Sequence, residues 1–168
     1  MENYVIAVLV DNQSGVLTRV AGMFTRRGFN IHSLTVGETE DPRFSRITIS
    51  AYGDDSSRRQ IMKQLYKLYN VKEVKVLERD LSVKRELALI KLTNSQSTRS
   101  DILSAVDIYR SKIIDLSPNT LCVEITGEPT KIDAFLKIVE PYGIKEICRT
   151  GVVALDRGCH YLRNADND

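Results

Sequence analysis

Cysteine is scarce in this 168-residue chain: only Cys122, Cys148 and Cys159 occur, widely scattered and without a C-x-x-C pair. An odd number of dispersed thiols argues against a disulfide framework, so reduced cysteines are expected. Long apolar runs are missing as well. The longest are strand length, whereas a membrane helix needs about 20 consecutive apolar residues. The first residues lack the basic stretch and long apolar segment of a secretory signal, and a cytoplasmic location is expected. Charge of one sign is also lacking, since 24 Lys and Arg stand against 22 Asp and Glu, a formal net charge of +2. Such a balance gives no electrostatic footprint for nucleic acid or an anionic membrane. The pair Arg26 and Arg27 then reads as a solvated helix end, where positive charge complements the helix dipole.

Motifs that carry catalysis are absent too. No phosphate loop, metal cluster, nucleophile triad or convergent pair of carboxylates appears. Asp156, Cys159 and His160 lie close in sequence, but zinc sites use three or four ligands at recognisable spacing and no second pair accompanies these. Neither Cys159 nor His160 sits in a motif that would activate a nucleophile. No catalytic residue and no metal ligand is assigned, and catalysis is expected to belong to a partner or to nothing.

What is present has an ordinary globular composition, enough for one or two small domains. Residues 4–10 form a near-continuous apolar strand, followed by a polar turn over residues 11–15. Val16, Leu17, Val20, Ala21 and Phe24 then share one helical face, and Gly28 ends that helix. Residues 31–36 and 46–52 read as two strands of a hairpin around a turn at 38–42. Asp54, Asp55, Ser56 and Ser57 supply caps for a helix whose Ile61, Leu65 and Leu68 or Tyr69 share a face, and residues 71–77 close the pattern as a strand.

The same order repeats after a charged linker at 79–85. Residues 86–93 read as a strand, Ser97 or Thr98 caps a helix burying Ile102, Ala105, Val106 and Tyr109, and strands follow at 113–116 and 121–126. Pro129 suits the first turn of a helix carrying Ile132, Phe135, Leu136 and Val139, and Gly143 precedes a last strand at 144–148. The expected fold is α+β, two tandem ferredoxin-like βαββαβ domains over residues 1–78 and 86–168, with residues 164–168 as a solvated tail. Each domain is small enough that one core stabilises it only marginally, and a helix-covered sheet leaves its other face and edges available. Side-by-side pairing of sheets between chains is therefore expected.

One region carries ligand chemistry. The turn at 11–15 exposes helix N-terminal N–H groups, which attract a carboxylate, and Asn12 and Asn30 add neutral amides that orient a zwitterion without a buried charge. Taken alone, Gly15 and Gly28 are helix-boundary residues, and the two asparagines are turn and strand-start residues.

The run DNQSGVLTRVAGMFTRRGFNIHSLTVGETEDPRFSRITI resembles an ACT domain, and more closely the regulatory small subunits of acetohydroxyacid (acetolactate) synthase. The segments KRELALIKL, IYRSKIIDLSP, KIDAFLKIVEPYGIKEICRTG and GVVALDRG extend the resemblance to about Arg163. The family implies a non-catalytic subunit that activates a separate catalytic large subunit and confers feedback inhibition by valine in branched-chain amino-acid synthesis. Thiamine diphosphate, magnesium and FAD are then expected in that partner and no cofactor in this chain. The family also implies a homodimer through its ACT domains, with effector sites formed by the strand-helix turn of one chain and the start of the second strand of the other. Carried onto this sequence, the effector residues are Asn12, Gly15, Val16, Asn30 and Ile31, with Leu17 and Leu34 as further pocket lining. Backbone N–H groups of Gly15 and Val16 would hold the carboxylate. A side chain at Gly15 would obstruct that approach. His32 departs from the family, which more often has an acidic residue there; it reads as an exposed strand residue.

Three other classes share features with this one. RNA-recognition modules share the βαββαβ order, but their third strand alternates aromatics for base stacking, whereas RFSRITISAY has them only at its ends. A stand-alone enzyme lacks the motifs above. A free-standing ACT-type sensor regulating another enzyme is the alternative that remains, and the match of the second half is what favours the synthase subunit.

Overall fold

The computed structural model describes residues 2–164 and divides them between two compact units. The first unit combines the chain up to Val83 with the segment from Val152 onward, and the second is Lys84–Gly151.

In the first unit, β1 (Glu2–Asp11), α1 (Val16–Arg26), β2 (Ile31–Glu38), β3 (Phe44–Gly53), α2 (Asp55–Leu65) and β4 (Val71–Leu77) follow in order. The antiparallel sheet runs β2-β3-β1-β4, so the first strand lies inside and the second lies on an edge. Tyr4, Ile6, Val8 and Val10 face the helices, packing with Val20, Phe24, Ile61 and Leu65. The alternate residues Val5, Ala7 and Leu9 pack on the opposite face with Leu77, Val152, Ala154 and Leu162. Burial on both faces explains why the strand reads as continuous apolar sequence and not as an alternation.

Two caps fix the helices. Asp54 accepts from the Ser57 N–H at 2.7 Å, which selects it among the cap candidates of α2. Gly28 has φ of 70°, and the Phe29 N–H reaches back to the Phe24 carbonyl at 3.0 Å, a left-handed glycine stop. Beyond α2, Tyr66 donates its hydroxyl to the Val74 carbonyl at 2.8 Å, while Tyr69 is exposed.

The second unit repeats the order with most of β5 (Ser82–Thr93), α3 (Arg99–Ile108), β6 (Lys112–Leu116), β7 (Thr120–Gly127), α4 (Pro129–Val139) and β8 (Ile144–Arg149), its sheet running β6-β7-β5-β8. Ala88, Ile90, Leu92, Val123, Ile132 and Phe135 form its core. Pro129 occupies the first turn of α4 as expected. Thr98 precedes α3 but makes no capping bond, because its hydroxyl pairs with Ser95 at 2.6 Å. Arg149 forks onto the buried Glu86 at 2.9 and 2.7 Å and reaches Asp133 at 2.8 Å. Hydrogen bonding to Glu86 raises the guanidinium pKa, so the clip stays charged.

Two features differ from the sequence expectation. The linker at 79–85 is partly strand, since β5 begins at Ser82. Residues 152–164 were expected inside the second domain at 86–168, yet they belong with the first unit, where β9 (Val153–Asp156) and a short 3-10 turn at Leu162–Asn164 cover the outer face of β1. The apolar side chains of Val152, Ala154 and Leu162 account for this, because they close a cluster that Val5, Ala7 and Leu9 would otherwise expose. The outer sheet face is thus partly occupied from within the chain. The expected solvated tail, apart from the backbone of Asn164, lies outside the described residues.

Candidate functional site

The turn between β1 and α1 is built around Gly15, which has φ of 82° and stands at the helix N-terminus. A Cβ at that position meets no atom within 4 Å, so backbone conformation and not lack of space selects glycine there. No side chain caps α1, and no acidic residue lies in its first turn. The helix N-terminal N–H groups are therefore without a side-chain partner, and no carboxylate of the first turn offsets their partial positive charge. The Val16 N–H makes a long contact to the Gln13 carbonyl at 3.4 Å, while the Val16 side chain is buried in the core.

Asn12 is held from three directions. Its Nδ2 donates to Glu38 Oε1 at 3.0 Å and to the Pro42 carbonyl at 2.9 Å, and its Oδ1 accepts from Ser45 Oγ at 3.1 Å. The amide is consumed in tying the turn to the β2–β3 hairpin. On the other side, buried Asn70 accepts from the Arg19 guanidinium and donates to Asp11 Oδ2 at 3.3 Å and Gln13 Oε1 at 3.4 Å. Lys72 pairs with Asp11 at 3.1 Å. Glu38, Ser45, Arg19 and Asn70 were not foreseen as site residues; none carries a local sequence signal, and the burial of Asn70 emerges only in the fold.

Leu17 follows Val16 in the first turn of α1, and the other expected residues lie elsewhere. Asn30 is exposed, Ile31 and Leu34 pack against the helix-side core, and Leu17 is 44% exposed. His32 is exposed at an irregularity in β2, edge-on to Tyr52 with ring centres 5.0 Å apart. Strand register separates the two groups. Asp11 pairs with Phe44 at one end of β3, and Ile31 pairs with Ala51 toward the other. Seven residue steps of strand separate the two pairings, about 23 Å at roughly 3.3 Å each. Within one chain the structure brings Asn12, Gly15 and Val16 together and keeps Asn30 and Ile31 apart from them.

Near the chain end, Asp156 pairs with Lys75 at 3.1 Å, and Cys159 and His160 are exposed. Among the described residues no group of three or more His, Cys, Asp or Glu is placed to hold a metal. No helix among them is long and apolar enough to cross a membrane.

A βαββαβ sheet with a glycine-led, uncapped helix start at its rim places residues 6–73 in the ACT class, and these residues match the family described as an AHAS small subunit-like ACT domain. Residues 85–158 match the family described as the small subunit of acetolactate synthase. The chain belongs to the family of acetolactate synthase small subunits, the regulatory subunits of that enzyme. It is 51% identical over 158 residues to the probable acetolactate synthase small subunit of Methanothermobacter thermautotrophicus, covering 94% of each chain. Identity to the small subunit of Mycolicibacterium smegmatis is 49%, over 92% of this chain and 91% of that one. The crystal structure of the acetolactate synthase small subunit from Thermotoga maritima superposes with a TM-score of 0.87 at 42% identity, over 94% of this chain and 99% of that one.

Proposed function

We propose that this subunit confers feedback inhibition by valine on a separate acetolactate synthase catalytic subunit, which it also activates, and that the effector binds between two copies of the chain. The observation that carries this reading is the separation of the half-sites along β3. β2 is an edge strand. Antiparallel pairing of two β2 edges sets the Ile31 end of one strand beside the Glu38 end of the other, where Asn12 and the uncapped turn reside. Two equivalent composite sites result from one two-fold interface.

At each, the uncapped N–H groups around Gly15 and Val16 hold the effector carboxylate, and the exposed amide of Asn30 from the other chain takes its ammonium. Asn12 orients the turn, its donors and acceptor already engaged. Leu17, Ile31 and Leu34 contribute apolar lining. Such a pocket discriminates side chains differing by one methylene by only about 1 to 3 kcal/mol, so leucine and isoleucine compete measurably with valine. Because the ligand spans the interface, it shifts the pair toward the arrangement it binds better, by the difference in affinity for the two arrangements. Thiamine diphosphate, magnesium and FAD belong to the catalytic partner, and the complex operates in the cytoplasm.

Calorimetric titration of valine into the full chain, with leucine and lysine for comparison, tests this. Saturable valine binding at one per chain, stronger than lysine, is expected. Equal binding of lysine defeats the sensor reading.

A further inference from the structure

One buried carboxamide borders the turn that leads into α1. Asn70 is 4% exposed and stands between α2 and β4, directly ahead of Val71. Its backbone carbonyl accepts from the Asp11 N–H at 2.9 Å. Its side chain reaches both flanks of the turn. Nδ2 donates to Asp11 Oδ2 at 3.3 Å and to Gln13 Oε1 at 3.4 Å on the strand side, and Oδ1 accepts from the Arg19 guanidinium on the helix side. The Arg19 N–H in turn donates to the Gly15 carbonyl at 3.1 Å. A ring of contacts thus closes from Asp11 through Asn70 and Arg19 to Gly15.

A carboxamide answers two opposite needs here. The oxygens of Asp11 and Gln13 require a donor, and the guanidinium requires an acceptor. Burial gives the arrangement its weight, because a buried polar group that loses its partner keeps its full desolvation penalty. Asn12 ties the same turn to the β2–β3 hairpin, but it is exposed and water can replace its partners.

We propose that Asn70 is a positioning residue for the effector: without touching the ligand, it fixes the junction of β1 and α1 so that the Gly15 and Val16 N–H groups converge on a carboxylate. This rests on the reading that the effector binds at that turn.

The test is Asn70→Asp in the full chain. The substitution keeps the shape and the bond from Arg19, but it replaces the donor with a carboxylate oxygen facing Asp11. Two carboxylates so close take up one proton between them as pH falls, and that proton restores a donor. The charged groups facing the position are Asp11 of β1, Arg19 of α1 and Lys72 of β4, which pairs with Asp11 at 3.1 Å. By calorimetry, Asn70→Asp is expected to bind valine about tenfold more weakly than the parent near neutral pH and to recover toward parental affinity by about pH 4, while the parent changes little. Without valine, the Gly15 and Val16 amide resonances of the variant follow the same midpoint in NMR. Arg19→Met, at an exposed position, opens the ring from the helix side and weakens valine binding likewise; it decides the matter should Asn70→Asp fail to fold. Parental affinity in folded Asn70→Asp near neutral pH or in Arg19→Met, a pH response no different from the parent's, or Gly15 and Val16 resonances indifferent to that proton overturns the positioning role. Absence of valine binding by the parent overturns the effector reading instead, and the resonance titration then still decides whether Asn70 sets the turn.

Discussion

The Asn12 amide donates to the Glu38 carboxylate at 3.0 Å, joining the turn before α1 to the far end of β2 across 26 positions of sequence. With the bonds to Pro42 and Ser45, it makes Asn12 a strut; both asparagines are exposed, but only Asn12 is tied to the hairpin. The two asparagines therefore respond differently to truncation. Asn12→Ala removes three hydrogen bonds from a partly hydrated setting and is expected to cost about 1 kcal/mol of stability in urea denaturation. Asn30→Ala stays within about 0.5 kcal/mol of the parent, as surface substitutions do. Both weaken valine binding. In the enzyme reconstituted with its catalytic subunit, Asn30→Ala abolishes valine inhibition while activation persists, and inhibition that survives unchanged removes Asn30 from the site.

The segment that returns to the first unit supports a stability prediction. Leu162 is 6% exposed and packs on the outer face of β1 with Val5, Ala7 and Leu9. Leu162→Ala is expected to destabilise the first unit by about 2 to 3 kcal/mol, the lower part of the range for buried leucine truncations. Urea denaturation followed by circular dichroism measures it. Exposed Leu81, truncated in the same way, serves as the control with little effect.

Acid acts on two carboxylates of the first unit, Asp41 beside the turn and Asp54 at the start of α2. Asp41 is lowered to about 2 by the side-chain hydrogen bonds of Arg43, aided by the Arg43 backbone N–H. Asp54 is lowered by the Ser57 N–H it caps. Both titrate below the unfolded value of about 3.9, so their contribution is complete above that value and is lost as pH falls toward the folded one. Carboxyl-carbon NMR titration should give Asp41 a midpoint near 2. Asp41→Asn should remove the acid dependence of the turn between β2 and β3, and an Asp41 midpoint at the ordinary carboxylate value contradicts the geometry.

Much of this architecture was legible in the residues. Period-2 patterning placed Ile47, Ile49 and Ala51 on one face, and Val20 and Phe24 at helical spacing marked the buried stripe of α1; all are core. The near-continuous apolar run of β1 marked a strand, but the outer face of its sheet was expected to stay available, and the structure covers it from within the chain. That cover, Val152, Ala154 and Leu162, sits in a short stretch flanked by glycine and charge, and its partners lie far away in sequence. Local pattern carries no information on such packing. The same holds for the turn. Gly15 and Asn12 announced themselves by residue type, whereas Glu38, Ser45 and Asn70 are ordinary polar residues until the sheet brings them to Asn12 and Asp11.

The separation of the half-sites gives the most discriminating experiment, because a site shared between chains can be complemented and a site within one chain cannot. Gly15→Glu obstructs the turn with a side chain in a left-handed conformation and sets a carboxylate where the effector carboxylate belongs. Asn30→Ala removes the opposite contributor. Each variant alone forms dimers in which both sites carry one defect, and neither binds valine. After unfolding and refolding together, a mixed dimer has one site with both defects and one with none. Half of the dimers are mixed on random pairing, so the mixture is expected to regain about one quarter of the parental valine stoichiometry at parental affinity, with oligomeric state followed by light scattering. Failure to regain binding in a preparation shown to contain mixed dimers places the whole effector site within a single chain.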